Sequence, residues 1–368
     1  MPVVYTSLER SSRANGIRPI SSPVRPNSMS LSVNDEGHAS PESACQLSVI
    51  IPTFNRRDLT LRAVASVLAQ QTRWLVEIIV VIDGSTDDTE AALRERYAGD
   101  ARVKVIVAAR GGASAARNVG SRAARGRLVC FLDSDDYWQA GTLATFECAF
   151  ARWPELAFVS IDGSTIPDAD GQQIARLVAG DSPGWTHRRF REVRLASETL
   201  DVNGQAPIAA LVGDFFPAII NGDLFYLSGM LMRRDASEAA GPFTERFRYF
   251  NDWEFFARLC LQGPGAYLDH DGFRRDTGRP DQISRRRPPT SMPRRHVYIL
   301  RSLPRRFAAR AARYAAPLRD ALDDAHYMLG RSLAQSAQRR RARRYLLRCL
   351  RRGFKPARSL VLLSTTFF

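Results

Sequence analysis

Cysteine is scarce in this chain. Cys45, Cys130, Cys148, Cys260 and Cys349 are the only five in 368 residues, and they show no C-x-x-C or paired spacing. A disulfide framework is therefore not expected, and a reducing cytosol fits best. Cys130 and Cys148 sit in apolar segments and read as buried thiols. Long apolar runs are missing too: no 18 uncharged apolar residues occur in succession, so no transmembrane helix is expected. The apolar end Ser359–Phe368 is too short to span a bilayer. No apolar h-region follows Met1. Residues 1–44, rich in Ser, Pro, Arg and Asn, read as a disordered segment and not as a secretory signal. No long internal repeat is found, and the last segment has room for one helical hairpin, a single unit that defines no solenoid.

Acidic residues are nearly absent from one region. From Arg285 to Arg358, 22 Lys and Arg stand against three Asp, a local charge of +19, so the rest carries −4 of the total +15. The front of the chain is close to neutral and the end is a polycation, which attracts nucleic acid, anionic lipid or an acidic polymer. The tail has no interleaved aromatics for base stacking and no known nucleic-acid module, so nucleic acid is the weaker choice. Two readings of the tail stand side by side: peripheral attachment to an anionic membrane, or a helical appendage with a solvated Arg face.

Hydrophobic content of 45% supports a substantial core. Apolar runs at 46–52, 76–82, 103–107 and 128–132 read as buried strands. Helical spacing occupies 57–71, 86–97 and 113–124. Strands that alternate with helices predict an α/β fold with a mostly parallel sheet. A helix is expected from Gly141 to about Arg152 and a strand over 156–161. Residues 162–207 read as polar loops, 209–232 as an apolar segment lining an acceptor cleft, and 272–293 as a Pro/Arg-rich loop. Helical patterning resumes at His296.

The most informative segment is Leu128-Val129-Cys130-Phe131-Leu132-Asp133-Ser134-Asp135-Asp136, an apolar strand that delivers three carboxylates within four residues. Like charges that close need a compensating cation. Hard oxygen ligands suit Mg²⁺ or Mn²⁺ carried in with a diphosphate. Strand ends are also where open α/β sheets place ligands.

Four blocks in order, spanning Leu47 to about Asp269, resemble the family 2 glycosyltransferases. The first is Val49-Ile50-Ile51-Pro52-Thr53-Phe54-Asn55-Arg56 and the second Ile79-Val80-Val81-Ile82-Asp83-Gly84-Ser85-Thr86-Asp87-Asp88. The third is Gly111-Gly112-Ala113-Ser114-Ala115-Ala116-Arg117-Asn118-Val119-Gly120, followed by the Asp133-Ser134-Asp135 motif. The fourth runs Gly241-Pro242-Phe243-Thr244-Glu245-Arg246-Phe247, then Tyr249-Phe250-Asn251-Asp252-Trp253-Glu254. The resemblance implies a GT-A fold over 45–295, with a nucleotide-sugar half to about 160, an acceptor half from 161, and a basic helical extension over 296–368.

It further implies an inverting, hexosyltransferase-like enzyme. A nucleoside-diphosphate sugar, UDP-linked by family habit, would donate to a glycan or lipid-linked acceptor in polysaccharide or cell-envelope glycan synthesis. The setting would be cytoplasmic or peripheral at the inner membrane face. Pro52, Thr53, Phe54, Asn55 and Arg56 would begin the nucleotide site, with Thr53 on base or ribose and Phe54 stacked on the base. Asp83 would accept from a uracil-like N–H, and Arg117 would lie near the nucleotide with Asn118 beside it. Asp133 and Ser134 would meet the ribose side, Asp133 and Asp135 the metal, and Asp252 would be the catalytic base. Where the family often has a second Asp, this chain has Ile82. It has Asn251 where a Glu is common and Asp276 near an expected His. Arg274, Arg275 or Arg279 are candidates to clamp the diphosphate. These departures keep open an inactive relative acting as a binding protein.

Overall fold

The computed structural model describes residues 45–166, 176–178, 195–204, 206–276 and 288–366. Residues 1–44 and 277–287, the latter with Arg279, lie outside the described residues, as does most of 167–194.

The first half follows from its apolar runs. β1 (Leu47–Thr53), β2 (Val76–Asp83), β3 (Val103–Ala108) and β4 (Leu128–Phe131) alternate with α1 (Arg57–Leu68), α2 (Thr89–Tyr97) and α3 (Ala113–Ala123). β1 is buried along its whole length, as a strand covered on both faces must be. The order β3-β2-β1-β4 is parallel throughout. The α2 helix starts three residues later than its spacing suggests, because the Asp87 carboxylate accepts from the Thr89 hydroxyl at 2.6 Å and holds a turn there. The small residues of α3 let it sit on the sheet: a Cβ on Gly120 would meet Ile50 Cγ2 at 2.3 Å.

The second half is mixed. β5 (Asp136–Trp138), α4 (Thr142–Arg152), β6 (Phe158–Thr165), β7 (Leu195–Leu200) and β8 (Ile208–Gly213) come next. They are followed by α5 (Phe216–Ile219), a 3₁₀ turn at Leu227–Gly229, β9 (Met230–Arg233), α6 (Arg234–Ala240), α7 (Asn251–Leu259) and β10 (Gly265–Arg275). The sheet continues β4-β9-β6-β10-β8-β7, with β9 antiparallel to both neighbours and β5 paired on β10. Two antiparallel steps restore direction, so β6 and β10 run with β4, and β10 is parallel to β6. The carboxyl ends of β1, β2, β4 and β10 therefore share one edge, joined by the start of β9.

Several local expectations change. Residues 162–165 extend β6, and 195–200 form a strand instead of a loop. Residues 272–275 belong to β10, because β5 and β6 hold them on both sides. The segment 209–232 divides. Phe215, Phe216, Phe225, Met230 and Met232 are core, while Tyr226, Leu227 and Ser228 reach a cavity.

The C-terminal helices begin at Ser291, not His296: α8 (Ser291–Arg306), α9 (Ala308–Ala311), α10 (Ala315–Gln335), α11 (Arg339–Arg351) and α12 (Pro356–Ser364). Val297, Leu300, Leu318 and Leu329 share one buried cluster with Ile50, Phe131 and Trp253 from the sheet half. Below this joint lies a buried ion network. Glu254 accepts from Arg258 at 2.8 Å, Arg306 at 3.1 Å and Thr244 Oγ1 at 3.0 Å. Arg258 also donates to the carbonyls of Ala240, Gly241 and Pro242, and neither it nor Glu254 is more than 1% exposed.

Glu254→Gln leaves the buried Arg258 cation without its counter-charge. We expect a loss of about 3–5 kcal/mol in stability, read from the denaturant midpoint at unchanged slope. A second prediction concerns His326 on α10. Burial, then Arg348, Arg301 and Arg352, push it down to about 4 from its ordinary 6.5. The unfolded chain gains this proton below about pH 6.5 while the folded chain refuses it. Stability from this group is complete above pH 6.5 and lost as pH falls toward 4. His326→Gln is expected to reduce the acid-induced loss by about 2–3 kcal/mol, measured as the difference between the two stability–pH curves.

Candidate functional site

The shared strand edge opens into a cavity of about 460 Å³. Pro52, Arg56, Arg117, Asp133, Ser134 and Asp135 line it from β1, α3 and the loop after β4, and Asp252 reaches it from α7. Seven of the residues singled out from sequence are thus gathered around one space. The 3₁₀ turn contributes Leu227 and Ser228, and the end of β10 contributes Arg275.

Each carboxylate of the acidic loop is handled differently. Asp133 accepts from Arg117 at 2.6 Å. Burial opposes its ionisation, but Arg117, then Arg275 and Arg56, hold it below the usual carboxylate range. Asp135 pairs with Arg56 at 3.0 Å. Asp136 is held well above the usual range, first by burial and then by the charges of Asp135 and Asp133. Ser228 Oγ donates to Asp136 at 2.5 Å and accepts from the Asp133 backbone N–H at 3.2 Å. Trp138 Nε1 donates to the Ser228 carbonyl at 2.8 Å, fixing the turn that presents this hydroxyl. Arg275 stands opposite Asp136 in the β5–β10 register and lies over the Tyr226 ring at 5.0 Å. Burial works against its charge, but Asp136, Tyr226, Asp133 and Asp135 keep it firmly protonated.

Among the described residues, no cluster of three or more His, Cys, Asp or Glu is arranged as a ready-made metal cage. The donor set still suits a hard cation. Mg²⁺ and Mn²⁺ take one or two carboxylates and complete their shells with water and substrate phosphates.

Asp83 and Phe54, which are not among the residues lining this cavity, share one cation. The Asp83 carboxylate accepts from Arg110 at 2.6 Å, Gly111 N–H at 2.7 Å and Gly112 N–H at 2.9 Å. The same Arg110 guanidinium lies over the Phe54 ring, 3.3 Å from its centroid. One side chain therefore covers both the aromatic face and the acceptor carboxylate. Asn55, at φ 50°, ties this loop to the next by accepting from the Thr86 N–H at 2.7 Å. Thr53 turns inward, its hydroxyl shared with Thr60 at 2.6 Å, so its side chain points away from the cavity. Asn118 also does something other than flank a ligand. It brackets the backbone of Phe243, donating to its carbonyl at 3.0 Å and accepting its N–H at 2.8 Å.

Asp252 opens α7 behind Phe250, whose φ of 56° is unusual for a bulky residue and turns the chain sharply into the helix. Its Oδ1 accepts from the Trp253 N–H at 2.9 Å, and the residue lines the cavity. Asn251 donates to Ser114 Oγ at 2.5 Å, pinning the helix start to α3. Of the arginines named for a phosphate clamp, Arg275 faces the cavity, whereas Arg274 pairs with Asp271 at 2.8 Å. Sequence reasoning missed Ser228 as a site residue, since nothing local marks a serine before a short strand.

Comparison with known proteins agrees with the geometry. Residues 48–207 match the model of "Glycosyl transferase family 2". The putative teichuronic acid biosynthesis glycosyltransferase TuaG of Bacillus subtilis is 37% identical over 134 residues, covering 36% of this chain and 52% of TuaG. The GalNAc(5)-diNAcBac-PP-undecaprenol beta-1,3-glucosyltransferase of Campylobacter jejuni is 39% identical over 102 residues, 27% of this chain and 33% of that protein. The chain thus matches about half, or less, of the length of its curated relatives. In structure it resembles residues 1–349 of S. aureus TarS in complex with UDP-GlcNAc, with a TM-score of 0.52 and 18% identity over 82% of this chain and 88% of that one. That likeness shows a common fold.

Proposed function

We propose that the chain is a family 2 glycosyltransferase, on the premise that residues 48–207 match that family's model, and that it moves a sugar from a UDP-linked donor to a hydroxyl of a glycan or lipid-linked acceptor, with inversion. The observation that carries this reading is the shared cavity into which Arg56, Arg117, Asp133, Asp135 and Asp252 all open. Cations and carboxylates for a diphosphate stand on one side, and a carboxylate at a helix start on the other.

In this reading Asp252 takes the proton of the acceptor hydroxyl. The oxygen attacks the anomeric carbon from the face opposite the nucleotide, and the bond to the diphosphate oxygen breaks. Attack from the opposite face inverts the configuration, and one base suffices. Arg275, Arg117 and Arg56 supply donors for the departing diphosphate. A divalent cation held by Asp133 and Asp135 would supply further stabilisation of charge on the leaving group. The nucleoside would stack on Phe54 and meet Asp83, which requires Arg110 to swing aside. The UDP-GlcNAc complex of TarS supports the choice of donor. The teichuronic and undecaprenol-linked relatives support an acceptor of cell-envelope glycan type.

Asp252→Asn is expected to bind UDP within about twofold of the parent, by calorimetry, while transfer from a UDP-sugar falls by about 10²–10⁴-fold. Turnover like the parent's would reject Asp252 as base, and failure of the folded parent to bind any nucleotide would reject the donor site. Arg110→Ala uncovers Phe54 and Asp83 without removing either. Since a cation–π contact is worth about 0.5–2 kcal/mol, UDP should bind several-fold more tightly. A weaker Kd would mean that Arg110 itself holds the nucleotide.

A further inference from the structure

We propose that a second cavity, among the C-terminal helices, is a binding site for a phosphate or diphosphate group. It measures about 730 Å³ and lies between α8, α10 and α11, closed on one side by the segment that carries Arg246. Seven arginines line it and no acidic residue does.

The pairing of those arginines defines the site. Among the described residues, Arg306 is the one that meets a carboxylate, Glu254 at 3.1 Å. Arg246 donates to the Tyr298 hydroxyl at 2.5 Å, Arg294 and Arg341 both donate to Gln338 Oε1 at 3.1 Å, and Arg301 leans on His326 at 3.0 Å. These contacts orient the guanidinium groups but leave their charge uncompensated. Arg305 and Arg344 have no ion pair among the described residues. His326, behind Arg301, is held well below its ordinary range, by burial first and then by Arg348, Arg301 and Arg352, of which Arg301 lines the cavity.

Residue type narrows the ligand. Of the 53 cationic residues in the chain, 51 are arginine, and both lysines, Lys104 and Lys355, lie outside the cavity. Planar guanidinium forks match the paired oxygens of a phosphate better than a point charge does. Val297, Leu329 and Leu333, with Tyr298 and Tyr345, give the cavity an apolar wall. Free phosphate needs no such wall. A phosphate ester with an apolar neighbour, in a lipid-linked acceptor or a lipid headgroup, would use both surfaces.

Position connects the cavity to transfer. Arg246 lines this cavity, and Arg248, Tyr249, Phe250, Asn251 and Asp252 line the other. Six residue steps separate Arg246 from Asp252, at most about 21 Å along even a fully extended chain. Arg306 also reaches Glu254 on the helix that Asp252 opens. The link to transfer rests on the proposed function, whereas the phosphate site itself does not.

The test uses the full chain and the double variant Arg305→Gln/Arg344→Gln, each titrated calorimetrically with inorganic pyrophosphate and, separately, with UDP. Pyrophosphate affinity is expected to fall by about tenfold or more in the variant, with UDP binding unchanged. Equal pyrophosphate affinity in both proteins, or none in either, overturns the site. Loss of UDP binding in both proteins, with the pyrophosphate difference intact, condemns the donor reading and leaves the phosphate site supported. Cosedimentation with phosphatidylglycerol vesicles separates the sources. Vesicle binding that pyrophosphate displaces and the variant loses supports a headgroup phosphate as occupant. Vesicle binding that is absent or equal in both proteins, beside the pyrophosphate difference, supports a phosphate-bearing acceptor.

Discussion

The site depends on one constraint: three carboxylates within four residues at the end of a buried strand. Such a group is unstable by itself, and its compensation is drawn from across the fold. Arg117 comes from α3, Arg56 from the loop after β1, Arg275 from the end of β10 and Ser228 from the turn before β9. Each is far from Asp133–Asp136 in sequence, except Arg117. The acidic loop draws its stabilising partners from a helix, a loop, a strand end and a turn, which the completed fold brings together. Asp136 shows the remaining imbalance, with a carboxyl held toward its neutral form by burial and by its two neighbours.

The same balance suits a site that must admit a doubly anionic group. A diphosphate entering beside Asp133 and Asp135 would meet carboxylates that already engage Arg56 and Arg117, so either cations must arrive with it or the arginines must change partners. Arg56 and Arg117 hold the carboxylates in the structure as it stands. In the proposed reading a divalent ion would take over the carboxylates and release those guanidinium groups to the phosphates. Arg110 would follow the same logic, exchanging Asp83 and Phe54 for solvent when a nucleoside occupies them.

Much of the first half of the sheet was legible, for a physical reason. Strands buried on both faces are near-continuous apolar runs, and an Asp immediately after such a run stands at the ligand edge of a parallel sheet. Asp133 and Asp135 were singled out that way, and the resemblance added Asp83 and Asp252. What remained hidden was long-range. Arg275 was one of three interchangeable arginines until the β5–β10 register placed it opposite Asp136. Thr53 and Asn118 look like site residues in sequence, but their hydrogen-bonding groups are spent on Thr60 and on Phe243. In the segment 209–232, alternating core and cavity residues share one composition, so apolarity alone could not separate Phe225 from Tyr226.

The basic end of the chain shows why net charge is a poor guide to role. Counted as a block, +19 suggests a surface that adheres to any polyanion. Resolved into residues, part of it is internal structure. Arg306 completes the Glu254 network, Arg352 pairs with Asp323 at 3.0 Å, and Arg295 lies 3.1 Å over the Phe247 ring. These arginines tie the helices to one another and to the segment that leads into Asp252. Arg294, Arg301, Arg305, Arg341 and Arg344, which have no carboxylate partner among the described residues, line a concave space with an apolar wall, while others such as Arg310, Arg319, Arg331 and Arg340 are exposed elsewhere. A uniformly solvated face would bind anions weakly and lose them to salt. A concave one with oriented guanidinium groups favours phosphate geometry, and in the proposed reading its position beside the Arg246–Asp252 segment would give that selection a bearing on what reaches Asp252.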